Sequence, residues 1–254
     1  MSELFSIQLQ NRQQQGGDGV WLDLPTTTEQ VQVALRQIGI SSDNPQGLFI
    51  SGYFAEEEKR FAIPYNMVLA SNVDELNFLA SRLETLSTGE RTELNAALQA
   101  PQSELFSIGR ITDFPENVDY YVHLPDVHGP AQLGDYYLNR SGMVDTPEEW
   151  KGGIDTAQFG RYVAQQEQGV FTEYGYLVKS GDAWQKVHEG QPVPEEYRVL
   201  SFPAPEVMRD AANIPPPVQP ETEPQKVIPI ILNGKDSAER MERRRNRIWS
   251  LRGH

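Results

Sequence analysis

The chain has 254 residues, of which 38% are hydrophobic and none is cysteine, so it can build apolar cores but not disulfides or thiolate sites. Its 36 acidic and 22 basic residues give a net charge of −14, which disfavours direct binding to nucleic acid. The sequence has no run of about 18 apolar residues. The opening MSELF also lacks a basic signal-peptide region, so we expect a cytoplasmic protein.

The acidic charge is concentrated in the first four fifths of the chain. Residues 1–200 hold 29 acids and 13 bases, a net charge of −16, whereas residues 201–254 hold seven acids and nine bases. Residues 1–200, called the acidic body below, should repel nucleic acid and attract proteins that bind DNA. The same charge would also serve solubility alone.

The first predicted element is a strand that contains the hexapeptide SELFSI, in which Phe5, Ile7 and Leu9 alternate with polar residues. A second strand, GVWLDLP, follows a polar turn. Thr26 and Glu29 then have the spacing of a capping box at the start of a helix. A third strand is predicted in GLFISGYFA, so residues 1–66 read as a β-β-α-β module.

A helical module is predicted over residues 67–102. One helix carries an apolar stripe at helical spacing, and Ser87 with Glu90 offers a capping box for a second, shorter helix that ends before Pro101. The stripe consists of Val73, Leu76, Leu79, Leu83 and Leu86. The pair is expected to form a helical hairpin with an acidic outward face.

SELFSI occurs again at 103–108, which predicts that residues 103–202 repeat the first module. Tyr120, Val122 and Leu124 alternate as the second strand did, and GVFTEYGYLV at 169–178 resembles the third strand. An additional helix is expected at about 155–168, with Phe159, Tyr162 and Val163 facing inward. The predicted fold class is therefore α+β, with two related β-β-α-β units that flank a helical hairpin in an elongated chain.

Residues 201–254, called the tail below, differ in composition from the acidic body. Residues 203–229 contain eight prolines, which predicts an extended linker at 203–234. Residues 235–254 hold seven bases and three acids and are predicted to form a basic helix. Docking on the acidic body, nucleic-acid binding and recruitment of a second protein are the three roles considered for the tail, and docking is favoured.

Several segments together resemble the ArdA antirestriction family: VWLDLP, DELNFLASRLETL, VDYYVHLP, LGDYYL and GVFTEYGYL. The resemblance covers about residues 3–200, and the tail after 201 is the departure from it. It implies an acidic, elongated protein of three modules that mimics the bent DNA bound by type I restriction–modification enzymes, often as a homodimer. With four histidines and no cysteine in the chain, we expect no enzymatic activity and no cofactor.

The predicted partner-binding surface is an ensemble of carboxylates in which no single residue dominates. Its members are Glu56, Glu57, Glu58, Asp74, Glu75, Glu84, Glu90, Glu93, Asp113, Glu116, Asp119, Asp126, Asp135, Asp145, Glu148 and Glu149. A CRISPR effector or another nucleic-acid-binding defence complex is the second candidate target. In a third hypothesis the chain is an adaptor that acts through its Pro-rich, basic tail, with the acids serving solubility only.

The segment HLPDVHG holds side chains of types that bind zinc, at His123, Asp126 and His128. Pro125 prevents one helical face from presenting both imidazoles. His123 also aligns with Asp23 of the first module, which indicates an ordinary strand position. We therefore predict no metal site and no catalytic residue.

Overall fold

The computed structural model describes residues 4–14, 17–41, 46–56 and 61–200. It is an α+β structure with two three-stranded sheets and several helices. This confirms the α+β part of the predicted fold class but not the tandem arrangement of related modules. Its contacts form two compact units, whose described parts are residues 4–118 with 184–200 and residues 119–183. The predicted boundaries of three modules stay a prediction, and the predicted segments 203–234 and 235–254 lie outside the described residues.

The first unit contains the predicted β-β-α-β order. Its elements are β1 (Phe5–Asn11), β2 (Val20–Leu24), α1 (Thr28–Gln37) and β3 (Leu48–Phe54). Strand β1 lies between β2 and β3 and pairs antiparallel with both. Its apolar residues are buried at every second position, as the alternation predicted. The capping box of α1 is one residue later than predicted, at Thr27 and Gln30.

Three helices follow in the same unit: α2 (Tyr65–Leu69), α3 (Val73–Glu84) and α4 (Thr88–Gln99). The predicted apolar stripe of α3 is buried throughout, and the capping box of Ser87 and Glu90 is present. The helices of the predicted hairpin are therefore confirmed. Their apolar faces fill a core that also contains Leu94 and Ile111.

The prediction of a strand at the second SELFSI is wrong. Ser107 caps a short helix, α5 (Ile108–Thr112), by accepting a hydrogen bond from the Arg110 N–H. The alternation fails because Arg110 stands where the first copy has Leu9. The side chain of Arg110 forms ion pairs with Glu104 and Glu189. A strand here would place this cation in an apolar row, whereas a helix buries Ile108 and Ile111 three residues apart.

The second unit holds β4 (Tyr121–Leu124), β5 (Val170–Thr172) and β6 (Gly175–Lys179), with β6 between the other two. The segment 169–178, predicted as one strand, forms the β5–β6 hairpin instead. Gly175 allows this turn because its φ of 116° disfavours other residues. The second unit is thus not a repeat of the first.

Its helices are α6 (Pro130–Asp135), continued by a π-helical turn (Tyr136–Arg140), α7 (Glu148–Lys151) and α8 (Thr156–Glu167). The core contains Val127, Leu133, Tyr137, Val163 and Tyr176. Helix α8 is the additional helix that the sequence predicted. The inward placement of Tyr162 is wrong, because 57% of its surface is exposed. Among the described residues, no helix combines the length and apolarity needed to cross a bilayer.

Helices α6 and α8 approach each other through two glycines. A Cβ atom at Gly160 would lie 1.8 Å from the carbonyl oxygen of Pro130, and one at Gly134 would lie 1.9 Å from that of Thr156. We expect Gly160→Ala to lower the free energy of unfolding by about 1–3 kcal/mol, because a backbone must move to admit the methyl group. Urea unfolding measures this. Gly152→Ala is the control, since its Cβ meets nothing within 4 Å.

Candidate functional site: the acidic surface

Both units are acidic by themselves. The described residues of the first unit include 15 acids and seven bases, and residues 119–183 include ten acids and four bases. The net charges are therefore −8 and −6. The structure sorts the predicted acids into exposed, partly buried and fully buried groups, which have different chemical roles.

Six predicted acids are exposed. One of them, Glu75, completes a helix cap, and the other five are called the exposed set below. They are Glu56, Asp126, Asp145, Glu148 and Glu149. Short loops and the four-residue helix α7 hold most of them, because such segments have no apolar face to bury. Glu148 pairs with Lys151, yet 85% of its side chain remains exposed. An ionised carboxylate only accepts hydrogen bonds and carries negative charge, two properties that it shares with a phosphate.

Several predicted acids on the helices serve the fold as well as the surface. Glu75 and Glu90 complete capping boxes with Asn72 and Ser87. Asp74 accepts hydrogen bonds from the N–H groups of Val199 and Leu200, at 2.7 and 2.9 Å. Burial raises the pKa of Asp74, and these two bonds act in the opposite direction.

Other predicted acids are partly buried. Glu84, Glu93 and Asp119 lie half-buried, and Glu116 forms an ion pair with Arg82. Asp135 is bonded by Asn139 and Arg140, and these hydrogen bonds lower the pKa of its carboxyl group. Ion pairing reduces the negative potential that Glu116 and Asp135 present outward, so these two carboxylates contribute less to the acidic surface.

Asp113 does not belong to the surface, because its exposure is 0%. Its carboxylate accepts hydrogen bonds from three successive N–H groups, of Val187, His188 and Glu189, at 3.3, 2.6 and 3.3 Å. It thereby fixes residues 184–200, called the return segment below, against α5. We remove Asp113 from the proposed surface. Glu57 and Glu58 lie outside the described residues.

Sequence reasoning missed other acids that the structure exposes. They are Asp18, Asp23, Glu29, Asp155, Glu173, Asp182, Glu195 and Glu196. Many lie in turns or first helical turns, and that position is the signal that could have found them. Glu167 was also missed, and its role is internal: it accepts hydrogen bonds from the phenols of Tyr137 and Tyr176. Burial and this carboxylate raise the pKa of both tyrosines.

His123 occupies the strand position that the sequence indicated, opposite Leu177 in the β4–β6 pair. Its Nε2–H donates to the carbonyl oxygen of Tyr174 at 2.7 Å, which fixes the tautomer, since a carbonyl only accepts. Within the described ranges, no three side chains of metal-binding type come together.

His123 predicts a pH dependence of stability. Burial lowers the pKa of His123 below its usual value of 6.5, so the unfolded chain binds this proton more readily than the folded chain. The stability that the neutral ring provides is complete above that value and is lost as the pH falls from it towards the folded pKa. We expect His123→Gln, which keeps a donor for Tyr174, to flatten this loss. Thermal unfolding between pH 7 and 5 measures it, and a wild-type slope in the variant would contradict it.

Comparison with known proteins places the chain in a family. Among curated proteins the comparison finds no match. The family model described as antirestriction protein (ArdA) matches residues 17–178. This match begins just before β2 and ends within β6, so it includes strands of both sheets but not β1, and it covers more than half of the chain. The chain therefore belongs to the ArdA family of antirestriction proteins.

Proposed function

We propose that this protein is a DNA mimic that occupies the DNA-binding site of a type I restriction–modification enzyme. Membership of the antirestriction family is the observation that carries the proposal. The exposed set and the acidity of both units support it, because they supply anions that could replace the phosphates that a DNA-binding enzyme contacts.

The physical basis is electrostatic. Duplex DNA carries one charge per roughly 1.7 Å of axis, so the net charge of −16 on residues 1–200 equals that of about 27 Å of duplex. A homodimer, which we also propose, would double this. Opposite potentials speed association, and salt screens them. The acids act as an ensemble, and neither cofactor nor catalysis is required.

Removal of the tail would distinguish a mimic from an adaptor. Because the match ends at residue 178, a mimic should act without the tail. We would compare inhibition of DNA cleavage by a type I enzyme between the full chain and a chain that ends at Leu200. Inhibition at least as strong by the shorter chain supports the mimic, and its loss supports an adaptor. If neither inhibits this enzyme, the same assay with CRISPR effectors tests the second candidate target.

A further inference from the structure

A groove runs between strand β2 and helix α1 of the first unit. Its volume is about 360 Å³, and its wall includes Val20, Leu22 and Ala34 together with the more polar Thr26 and Gln30. Two apolar side chains at this groove remain open to solvent, since Trp21 is 50% exposed and Val33 is 47% exposed. Exposed apolar surface that lines a concave site is typical of a binding site.

The groove opens on the outer edge of the sheet. The consecutive residues Val20, Trp21, Leu22 and Asp23 all line it, although alternate side chains of a strand point to opposite faces. The strand order of the described sheet, β2-β1-β3, makes β2 an edge strand. An edge strand offers backbone donors and acceptors to an added segment, in addition to the apolar side chains.

The groove is acidic as well as apolar. Among the described residues that line it are two carboxylates, of Asp23 and Glu29, and no base. Both acids are exposed. The groove therefore favours an occupant that has apolar side chains and positive charge together.

The described chain ends close to this groove. Asn77 accepts a hydrogen bond from the N–H of Thr26, at the start of α1, and donates one to the carbonyl oxygen of Tyr197. Leu200 is held by Asp74 on the same helix, α3. One asparagine thus joins the wall of the groove to the end of the return segment, at which the described part of the chain stops.

We propose that the segment 227–252 of the same chain docks in this groove. Its apolar run VIPIIL, at 227–232, matches the exposed apolar wall. The run Arg243–Arg245, which follows it, carries positive charge that can pair with Asp23 and Glu29. The described wall of the groove contains no base of its own. The 26 residues from 201 to 226 span up to about 80 Å at about 3.1 Å per residue when proline-rich, so they reach the groove easily.

Tethering strengthens this contact. A segment joined by a linker of this kind is present at an effective concentration in roughly the millimolar range, so modest affinity keeps it bound. Exposed ion pairs weaken with salt, whereas apolar contacts persist. A docked tail would cover part of the acidic surface of the first unit. This inference does not depend on the target enzyme.

The absence of cysteine makes a direct test possible in the full chain. Ser237→Cys would carry the only thiol, and a spin label there broadens amide NMR signals near it. We expect severalfold greater signal loss at Trp21, Leu22 and Val33 than at the amides of α8. Mixing spin-labelled chains with separate ¹⁵N-labelled, label-free chains should remove the loss, because docking occurs within one chain.

Two variants and a control complete the test. Val33→Arg places a cation in the groove and should abolish the selective broadening, as should reversal of Arg243, Arg244 and Arg245 to glutamate. Gln165→Arg adds the same charge on α8 and should leave it unchanged. Broadening that is uniform, absent, centred on another surface or found only between separate chains would overturn the proposal.

Discussion

Neutralising the exposed set one residue at a time is expected to weaken inhibition of a type I enzyme in small, cumulative steps. Each exposed ion pair is worth about 0.2–1 kcal/mol, so a single change to the neutral amide should raise the inhibition constant by no more than about fivefold. All five changes together should raise it by between about fivefold and about 5000-fold, since their energies would sum to about 1–5 kcal/mol. The measurement is a titration of DNA cleavage against each purified variant.

A charge-restoring control separates an ensemble from a discrete site. Gln165→Glu and Gln166→Glu add two exposed acids on α8 to the variant in which all five residues of the exposed set are neutralised. If the summed potential matters, they should recover part of the inhibition. One substitution that abolishes inhibition while the chain stays folded would show a discrete site instead.

Replacing Asp113 is expected to have the largest effect on stability. Asp113→Ala leaves three successive N–H groups of a partly buried segment without their acceptor. Each unsatisfied buried group costs about 1–3 kcal/mol, and partial access of water limits the sum, so we expect a loss of about 3–5 kcal/mol. Urea unfolding followed by tryptophan fluorescence measures this, since Trp184 begins the return segment.

Two further variants define the origin of that loss. Asp113→Asn keeps one oxygen acceptor and should cost less than Asp113→Ala. Asp145→Ala removes an exposed acid and should change the free energy of unfolding by less than about 0.5 kcal/mol. Equal stability of Asp113→Ala and the wild type would mean that this carboxylate does not hold the return segment.

Much of the fold could be predicted because local patterns and packing agree. The alternation of Phe5, Ile7 and Leu9 and the stripe from Val73 to Leu86 each match the face that the structure buries. The strand prediction for the second SELFSI was wrong because six residues alone do not determine which other strands are available to pair with them. The first copy lies between two strands, whereas the chain after the second copy turns into α5, where Arg110 forms ion pairs with Glu104 and Glu189.

The candidate site was less predictable than the fold. Sequence indicates how many acids there are but not which of them are used internally. Asp113 resembles Asp145 in the sequence, yet one is fully buried and the other is exposed. The difference arises from residues 187–189, more than 70 positions later, whose N–H groups require an acceptor. A contact of that sequence separation leaves no local signal.

Competition for a type I restriction–modification enzyme tests the central claim most directly. The purified protein would be titrated into the enzyme bound to labelled DNA, at low and at high salt. We predict displacement of the DNA that weakens steeply as salt rises, because carboxylates and phosphates would share one cationic site. Retention of the DNA at every salt concentration would contradict the proposal that this protein occupies the DNA-binding site of that enzyme.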